Sequence, residues 1–391
     1  MSSSRAASSP DRSRRRIPSV WQGIGWALRR GGEGGGISRA ELFGRALVAT
    51  LAHGKALGRW MAIVHELKAR GMLDDLEGEY LRAIRPSVQR HASIGERVTQ
   101  LIDHTDWIET AFKPAALERL TSGKPVVLAE LRPPRGFDYL RLQVQRTGVQ
   151  SPEGELLLTL TAQRSSDVQH KALPLDLAAL AFSRFRIEDT SCLVIGGVRG
   201  QRHHASRMAM SPVEVSQALQ GWKPSVLLVC TMQELARAWG HKLVGLNPAS
   251  HRLQGWSFRF DTASREAAER IFASHDALWA HFDAAPGPLG WVVLPLHSDD
   301  KLAATALSPE KRERQVRRAD FWLRMRKALH LRMREVLVRP GREDQKSRVT
   351  QLATDHAPLE DDWGDLFTED EEAEKERLQA RMLQTGPLTL E

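Results

Sequence analysis

Hydrophobic positions change their spacing along the 391 residues of the chain. From Ser38 to Phe112 they recur every three or four residues. Leu42, Ala46, Leu47 and Thr50 open one stretch, and Trp60, Ile63, Val64 and Leu67 continue it. Such a period predicts amphipathic helices. Leu76, Tyr80 and Leu81 mark a second helix that closes at Arg85-Pro86, and Val88 to Trp107 reads as a third.

Between Leu117 and Gly200 the period falls to two. Lys124–Arg132, Tyr139–Arg146, Glu155–Gln163 and Cys192–Gly197 read as strands, separated by the Pro- and Gly-rich turns Pro133–Gly136 and Ser151–Gly154. The pattern predicts an antiparallel meander, and the apolar segment Ala172–Phe185 fits either element type. Beyond it, helix and strand alternate. Pro212–Gln220 reads as a helix with Ser211 as its N-cap. Ser225–Cys230, short, continuous and apolar, reads as a buried strand. Met232–Trp239 is a helix stopped by Gly240, and Lys242–Leu246 a strand. Trp256–Phe260 and Gly290–Leu296 suggest two more strands, and Pro309–Val338 a long helix with an apolar row through Val316, Trp322, Leu323, Leu329, Met333 and Leu337.

The first sixteen residues are rich in Ser and Arg and lack any apolar period, as in disordered segments. Arginines ahead of the fairly apolar Ile17–Leu28 invite a signal-peptide reading, but Pro18, two glycines and the absence of a small-residue cleavage site argue against it. Gly31–Gly36 reads as a linker. The expected organisation is a basic arm over 1–36, a helical subdomain over 37–115, an α+β core over 116–338 and a disordered acidic tail over 339–391. The fold class expected is α+β, a helical subdomain followed by a mixed sheet with flanking helices.

Composition narrows the class. Two cysteines, Cys192 and Cys230, are too few for a disulfide framework or a Cys-rich metal site, and both read as core thiols. No run approaches the roughly 18 apolar residues of a spanning helix. A cytoplasmic location, peripheral to the inner membrane at most, is expected. Net charge is +8, unevenly spread. Residues 1–30 hold seven arginines against Asp11, while 355–376 hold eleven acids against Lys375. The body between is therefore more basic than the total implies and favours anionic partners: RNA, anionic lipid or a phosphate-bearing cofactor. His53, His65, His91 and His104 lie in the helical stretches without ligand spacing, and no metal site is expected. Walker, Gly-x-Gly-x-x-Gly, His-Glu-x-x-His and Gly-x-Ser-x-Gly signatures are absent, so nucleotide hydrolysis, dinucleotide redox chemistry and zinc proteolysis have no support.

Several runs carry a family likeness. These are Ser191–Gln201 (SCLVIGGVRGQ), Gly221–His251, Ser274–Trp279 with Gly290–Leu296, and the basic Ser308–Arg318. Together they resemble the VirK/YbjX family of proteobacterial proteins of undefined biochemistry. The likeness rests on Ile195-Gly196-Gly197 with Gly200, on Pro224, on Gly245 to His251, on Asp276 with Trp279, and on Lys311, Arg312, Arg317 and Arg318. It spans about Ser38 to Leu337. Where the family usually has Gly-Gly-Leu-Gln-Gly this chain has Gly-Gly-Val-Arg-Gly. The resemblance implies a context in the cell envelope or virulence, including tolerance of antimicrobial peptides, and no defined reaction.

The element order from Lys124 to Leu246 also resembles the acyl-CoA N-acyltransferase (GNAT) fold. That resemblance implies a donor, acyl-CoA or acyl-carrier protein, whose phosphopantetheine would be held by a loop of Gly196, Gly197, Arg199, Gly200, Gln201, Arg202, His203 and His204. Glycines permit close backbone approach and the cations would meet phosphate. The acyltransferase loop pattern itself is not met. His251 and Asn247 follow a strand end, where open sheets place ligands. His251 is a candidate base; the competing reading is a histidine that orders a loop. Lys311 to Arg334 holds ten Lys and Arg against Glu313 and Asp320. Lys311, Arg312, Arg317, Arg318 and Arg324 are the candidate anion-binding residues, facing RNA or an anionic membrane in a non-enzymatic regulator, or forming the solvated face of a docked helix. The acidic tail could also fold back on this helix.

Overall fold

The computed structural model describes residues 20–30, 39–85, 89, 92–133, 137–148, 153–163, 174–200, 212–251, 275–296 and 309–338. The expected strand Trp256–Phe260, residues 1–19 and the tail beyond Val338 lie outside these.

The N-terminal helices are α1 (Val20–Arg30), α2 (Arg39–Ala69), α3 (Leu76–Ile84), α4 (Ile94–Ala111) and α5 (Pro114–Thr121). The expected arm over 1–36 is thus partly helical. Trp26 and Ala27 of α1 are buried, and Trp26 meets the Tyr80 ring edge-on at 5.4 Å. Arg29 and Arg30 pair with Glu77 and Asp75 at the start of α3, where cations and acids of the two helices meet. The two glycines that obscured α1 in the sequence leave its four-residue apolar spacing intact. The third helix starts at Ile94 rather than Val88, because Ser93 and Glu96 form a reciprocal capping box that fixes the first turn.

The strands are β1 (Val126–Leu131), β2 (Tyr139–Arg146), β3 (Leu156–Gln163), β4 (Leu175–Ile187), β5 (Thr190–Gly200), β6 (Lys242–Leu246), β7 (Ala285–Pro286) and β8 (Trp291–Leu294). They form one sheet in the order β1-β2-β3-β4-β5-β6-β8-β7. β1 to β5 are the antiparallel meander, with Leu175–Phe185 of the ambiguous apolar segment in β4. β6 pairs parallel to β5 and antiparallel to β8.

Between β5 and β6 run α6 (Pro212–Ala218) and α7 (Pro224–Trp239). The expected strand Ser225–Cys230 is the first half of α7. Every residue from Val226 to Ala236 is buried, so the helix has no polar stripe to reveal its period, and a short apolar run reads the same in either element. Pro224 at the first turn starts the helix, and Gly240, left-handed at φ 68°, ends it. A short helix, α8, covers 275–281, and α9 (Pro309–Val336) packs along β1 at the outer edge of the sheet.

The helical subdomain has its own core around Leu42, Leu57, Trp60, Tyr80 and Leu101. The main core lies between the sheet and α7, α9 and α5, and a smaller one on the far face joins Phe185, Val194, Val244, Leu246 and Trp291. Subdomain and sheet meet over buried charge. Glu155, just before β3, lies between Arg82 of α3 and Arg97 of α4, with Arg97 at 2.7 Å. Glu79 pairs with Arg82 at 3.2 Å and with Arg146 of β2 at 3.1 Å. Beside them His104 Nδ1 accepts the Arg184 backbone N–H at 3.0 Å, and burial lowers its pKa to about 3. Of the histidines read as packing groups, His104 is the one that ties α4 to β4.

Candidate functional site

β5 pairs with β6 only from Cys192↔Lys242 to Ile195↔Gly245, while its pairing with β4 runs on to Gly200. The two parallel strands therefore part after Ile195, with β5 following β4 and β6 ending at Leu246. A bulge marks the parting: Ala181 faces Gly197 and Phe182 faces Ile195, so Gly196 is the extra residue. The two neighbouring strands thus diverge at their carboxyl ends.

α8 packs into the notch between the strands, its side chains bonded to both. The Trp279 ring lies so close over Gly245 that a Cβ there would come within 2.7 Å of it, and Trp279 Nε1 donates to the Leu246 carbonyl at 2.9 Å. His275, 2% exposed, stacks obliquely on Trp279 at 5.6 Å. Its Nε2 accepts the Val198 backbone N–H at 3.4 Å. Burial lowers the His275 pKa to about 4, so the ring is neutral at pH 7. A neutral ring that accepts at Nε2 carries its proton on Nδ1, and Nδ1 has no hydrogen-bond partner among the described residues. An unsatisfied buried donor is costly, and a carbonyl oxygen would satisfy it. Sequence reasoning missed His275, a lone histidine without spaced partners; its one signal was its place beside Asp276 and Trp279.

The residues expected to form a phosphate loop are placed differently. Gly196, Gly197 and Arg199 belong to β5 rather than to a loop, because pairing with β4 persists to Gly200. The space left by the missing side chains is filled from within. A Cβ on Gly196 would fall 1.9 Å from the Glu153 carbonyl oxygen, and Arg199 pairs with the Glu153 carboxylate at 2.9 Å. Gln201, Arg202, His203 and His204 lie outside the described residues. Gly196→Ala should lower unfolding stability by about 1–3 kcal/mol, the usual cost of overpacking, read as a fall in urea midpoint at unchanged slope.

Asn247 and His251 stand at the end of β6, as expected. Asn247 Oδ1 accepts the Ala249 N–H at 2.9 Å and so caps the turn Pro248–Ser250. His251 is buried, its backbone N–H donates to the Pro248 carbonyl at 3.1 Å, and its backbone forms an isolated antiparallel bridge with Gln89 of the helical subdomain.

The basic helix is a separate place, since α9 lies against β1, four strands from β5. Arg317 and Arg324 pair with Glu313 and Asp320 one turn earlier, and Lys311 and Arg312 are exposed. Arg318 turns inward over the Trp222 ring at 4.7 Å. Towards its C-terminal end, Arg326 and His330 reach the buried Glu234 of α7 at 2.8 Å each. With Lys113, Arg237 and Arg334 they line an open cleft of about 480 Å³ floored by Met333 and Leu337.

Cys192 and Cys230 are buried free thiols. Among the described residues no cluster of His, Cys, Asp and Glu could hold a metal, and no helix is long and apolar enough to cross a membrane. No curated protein and no solved structure matches the chain. A family described as a protein of unknown function, DUF535, matches residues 39–330, well over half of the sequence, and the chain belongs to that family.

Proposed function

We propose that the chain is an acyltransferase that takes its acyl group from acyl-CoA or acyl-carrier protein and acts on an envelope component or its precursor. One observation carries this reading: parallel β5 and β6 part at the Gly196 bulge, beside a buried histidine with an unused N–H. A meander running into a crossover and a parting strand pair is the arrangement expected of an acyltransferase-like sheet. An extended pantetheine arm fits such a notch because it carries amide carbonyls at strand-like spacing, and His275 Nδ1–H would donate to one of them. Arg202, His203 and His204, next along the chain from β5, would face its phosphates. In the transfer, an amine or hydroxyl of the acceptor attacks the thioester carbonyl, the C–S bond breaks with the donor's thiolate as leaving group, and the acceptor's proton passes through a base to that thiolate, releasing the free thiol. His251 at the end of β6 is the base in this reading, positioned by the turn that Asn247 caps. The likeness to the VirK/YbjX family supports the envelope context. The second reading, a regulator that binds RNA or anionic lipid, is favoured by the exposed cations of α9.

Calorimetric titration and thermal shift with acyl-CoA and acyl-carrier protein should show saturable binding of at least one donor. His275→Ala should weaken it at least tenfold while leaving the fold intact. If the folded protein ignores both donors but binds anionic vesicles or RNA with steep salt dependence, acyl transfer is abandoned for the regulator.

A further inference from the structure

The outward face of α9 carries three large apolar side chains at spacings of seven and eight residues: Val316, Leu323 and Leu331, 61%, 63% and 55% exposed. They lie on one face of the helix, which also carries Arg312, Arg317, Arg324, Lys327 and Arg334 and two exposed acids, Glu313 and Asp320, so the face is cationic on balance. An apolar row this exposed, with a cationic rim, calls for a partner that is apolar in the middle and acidic at its edges.

The chain supplies one. Leu359, Trp363, Leu366 and Phe367 follow at i, i+4, i+7 and i+8, the spacing of a single helical face, and acids surround them from Glu360 to Glu372. Reach matches as well. From Val338, at the foot of α9, to Leu323 is fifteen residues, about 22 Å along a helix. The twenty residues 339–358 would span roughly 25 Å as a flexible chain. A tether whose mean length equals its span maximises effective concentration, so modest contacts suffice.

We infer that residues 359–372 dock on the outer face of α9 in the same molecule, with Trp363, Leu366 and Phe367 seated on the row of Leu323 and its acids against Arg317, Arg324 and Lys327. The tail thereby covers a net cationic face, and α9 is a site for an acidic amphipathic segment. This surface is distinct from the β5/β6 notch, so the inference stands whether or not acyl transfer occurs.

Zero-length carbodiimide coupling of the native full-length protein, followed by peptide mass spectrometry, tests it. The expected product is an isopeptide bond from Lys327 to an acid between Glu360 and Glu372, within monomers and independent of protein concentration. The exposed variant Leu323→Ser, and separately Leu366→Ala with Phe367→Ala, should each reduce that product at least tenfold. Coupling found only in covalent dimers, or no tail peptide on Lys327 while Lys327 couples elsewhere, would overturn intramolecular docking. Coupling that survives both variants would overturn the apolar seating. Tail coupling lacking in the free protein, with Lys327 shielded only on adding anionic vesicles, would assign the face to lipid instead.

Discussion

Replacing Glu155 by alanine is expected to lower the unfolding free energy by about 3–5 kcal/mol, the range for breaking a buried ion pair from one side. The side chain is 7% exposed, and Arg82 and Arg97, 2% and 8% exposed, both depend on it. Their guanidinium groups hold its pKa at about 2, against the resistance of burial. Without Glu155 the buried Arg82 keeps only Glu79, which also serves Arg146, and the buried Arg97 loses the carboxylate it pairs with. Because Glu155 borders β3 while its partners are on α3 and α4, the damage falls on the seam between subdomain and sheet. Glu155→Gln keeps the volume and loses the charge, so it should destabilise in the same direction, whereas Glu155→Ala alone also leaves a cavity. Glu313→Ala removes an exposed pair on α9 and should cost less than about 1 kcal/mol. Urea unfolding of the three variants provides the comparison. A loss in Glu155→Ala no greater than in Glu313→Ala would show that the buried cluster does not hold the seam.

Stability should also fall steeply as the solution is acidified from about pH 6.5 to pH 5, before carboxylates are protonated in bulk. His104, His241 and His275 are buried, and burial lowers their pKa values to about 3, 4 and 4. In the unfolded chain these rings take up protons near pH 6.5; in the folded protein they do so only below about 4. Through that window the unfolded state binds more protons, so acid favours it. Their contribution is fully present above pH 6.5 and is lost as pH falls. At one and a half units below 6.5 each ring would contribute up to about 2 kcal/mol of loss, at about 1.4 kcal/mol per unit. Glu155 adds a loss of the same sign between about pH 4.5 and 2. Urea midpoints from pH 7.5 to 4.5 measure the slope. His104→Gln keeps an acceptor for the Arg184 N–H but removes one titration, so its slope should be shallower by about one-third of the three-histidine term. A flat profile down to pH 5, or an unchanged slope in His104→Gln, would refute burial of these rings in neutral form.

Much of the fold is legible along the chain because its signals are local. The two-residue period of Tyr139–Arg146 and Leu156–Gln163 places them in a half-buried meander, and the caps around Pro224 and Gly240 bound a real element. Legibility failed where burial removed the period. α7 is buried on every side from Val226 to Ala236, and so its apolar first half resembled a buried strand. α1 was hidden by its glycines and an Arg-rich neighbourhood, and what holds it is tertiary, the Trp26–Tyr80 contact and pairs to the start of α3. The notch shows the same division. Gly196 and Gly197 stood out in the sequence, but the neighbour they admit, Glu153, comes from the β2–β3 connection. His275 had no sequence signal of its own, since its importance arises from Val198 and Trp279, far away along the chain.

By itself, then, the sequence determined the α+β class, the order of helical subdomain and meander, the long basic helix and the acidic tail, all properties set by periods, caps and charge within a few neighbouring residues. Only the tertiary structure decided that β5 and β6 run parallel and then part, that a histidine N–H without a partner among the described residues lies beside the parting, that buried arginines and glutamates hold the two subdomains together, and which face of α9 the described residues leave exposed. Each of these depends on residues tens to hundreds of positions apart being brought within a few ångströms, and local spacing carries no information about that.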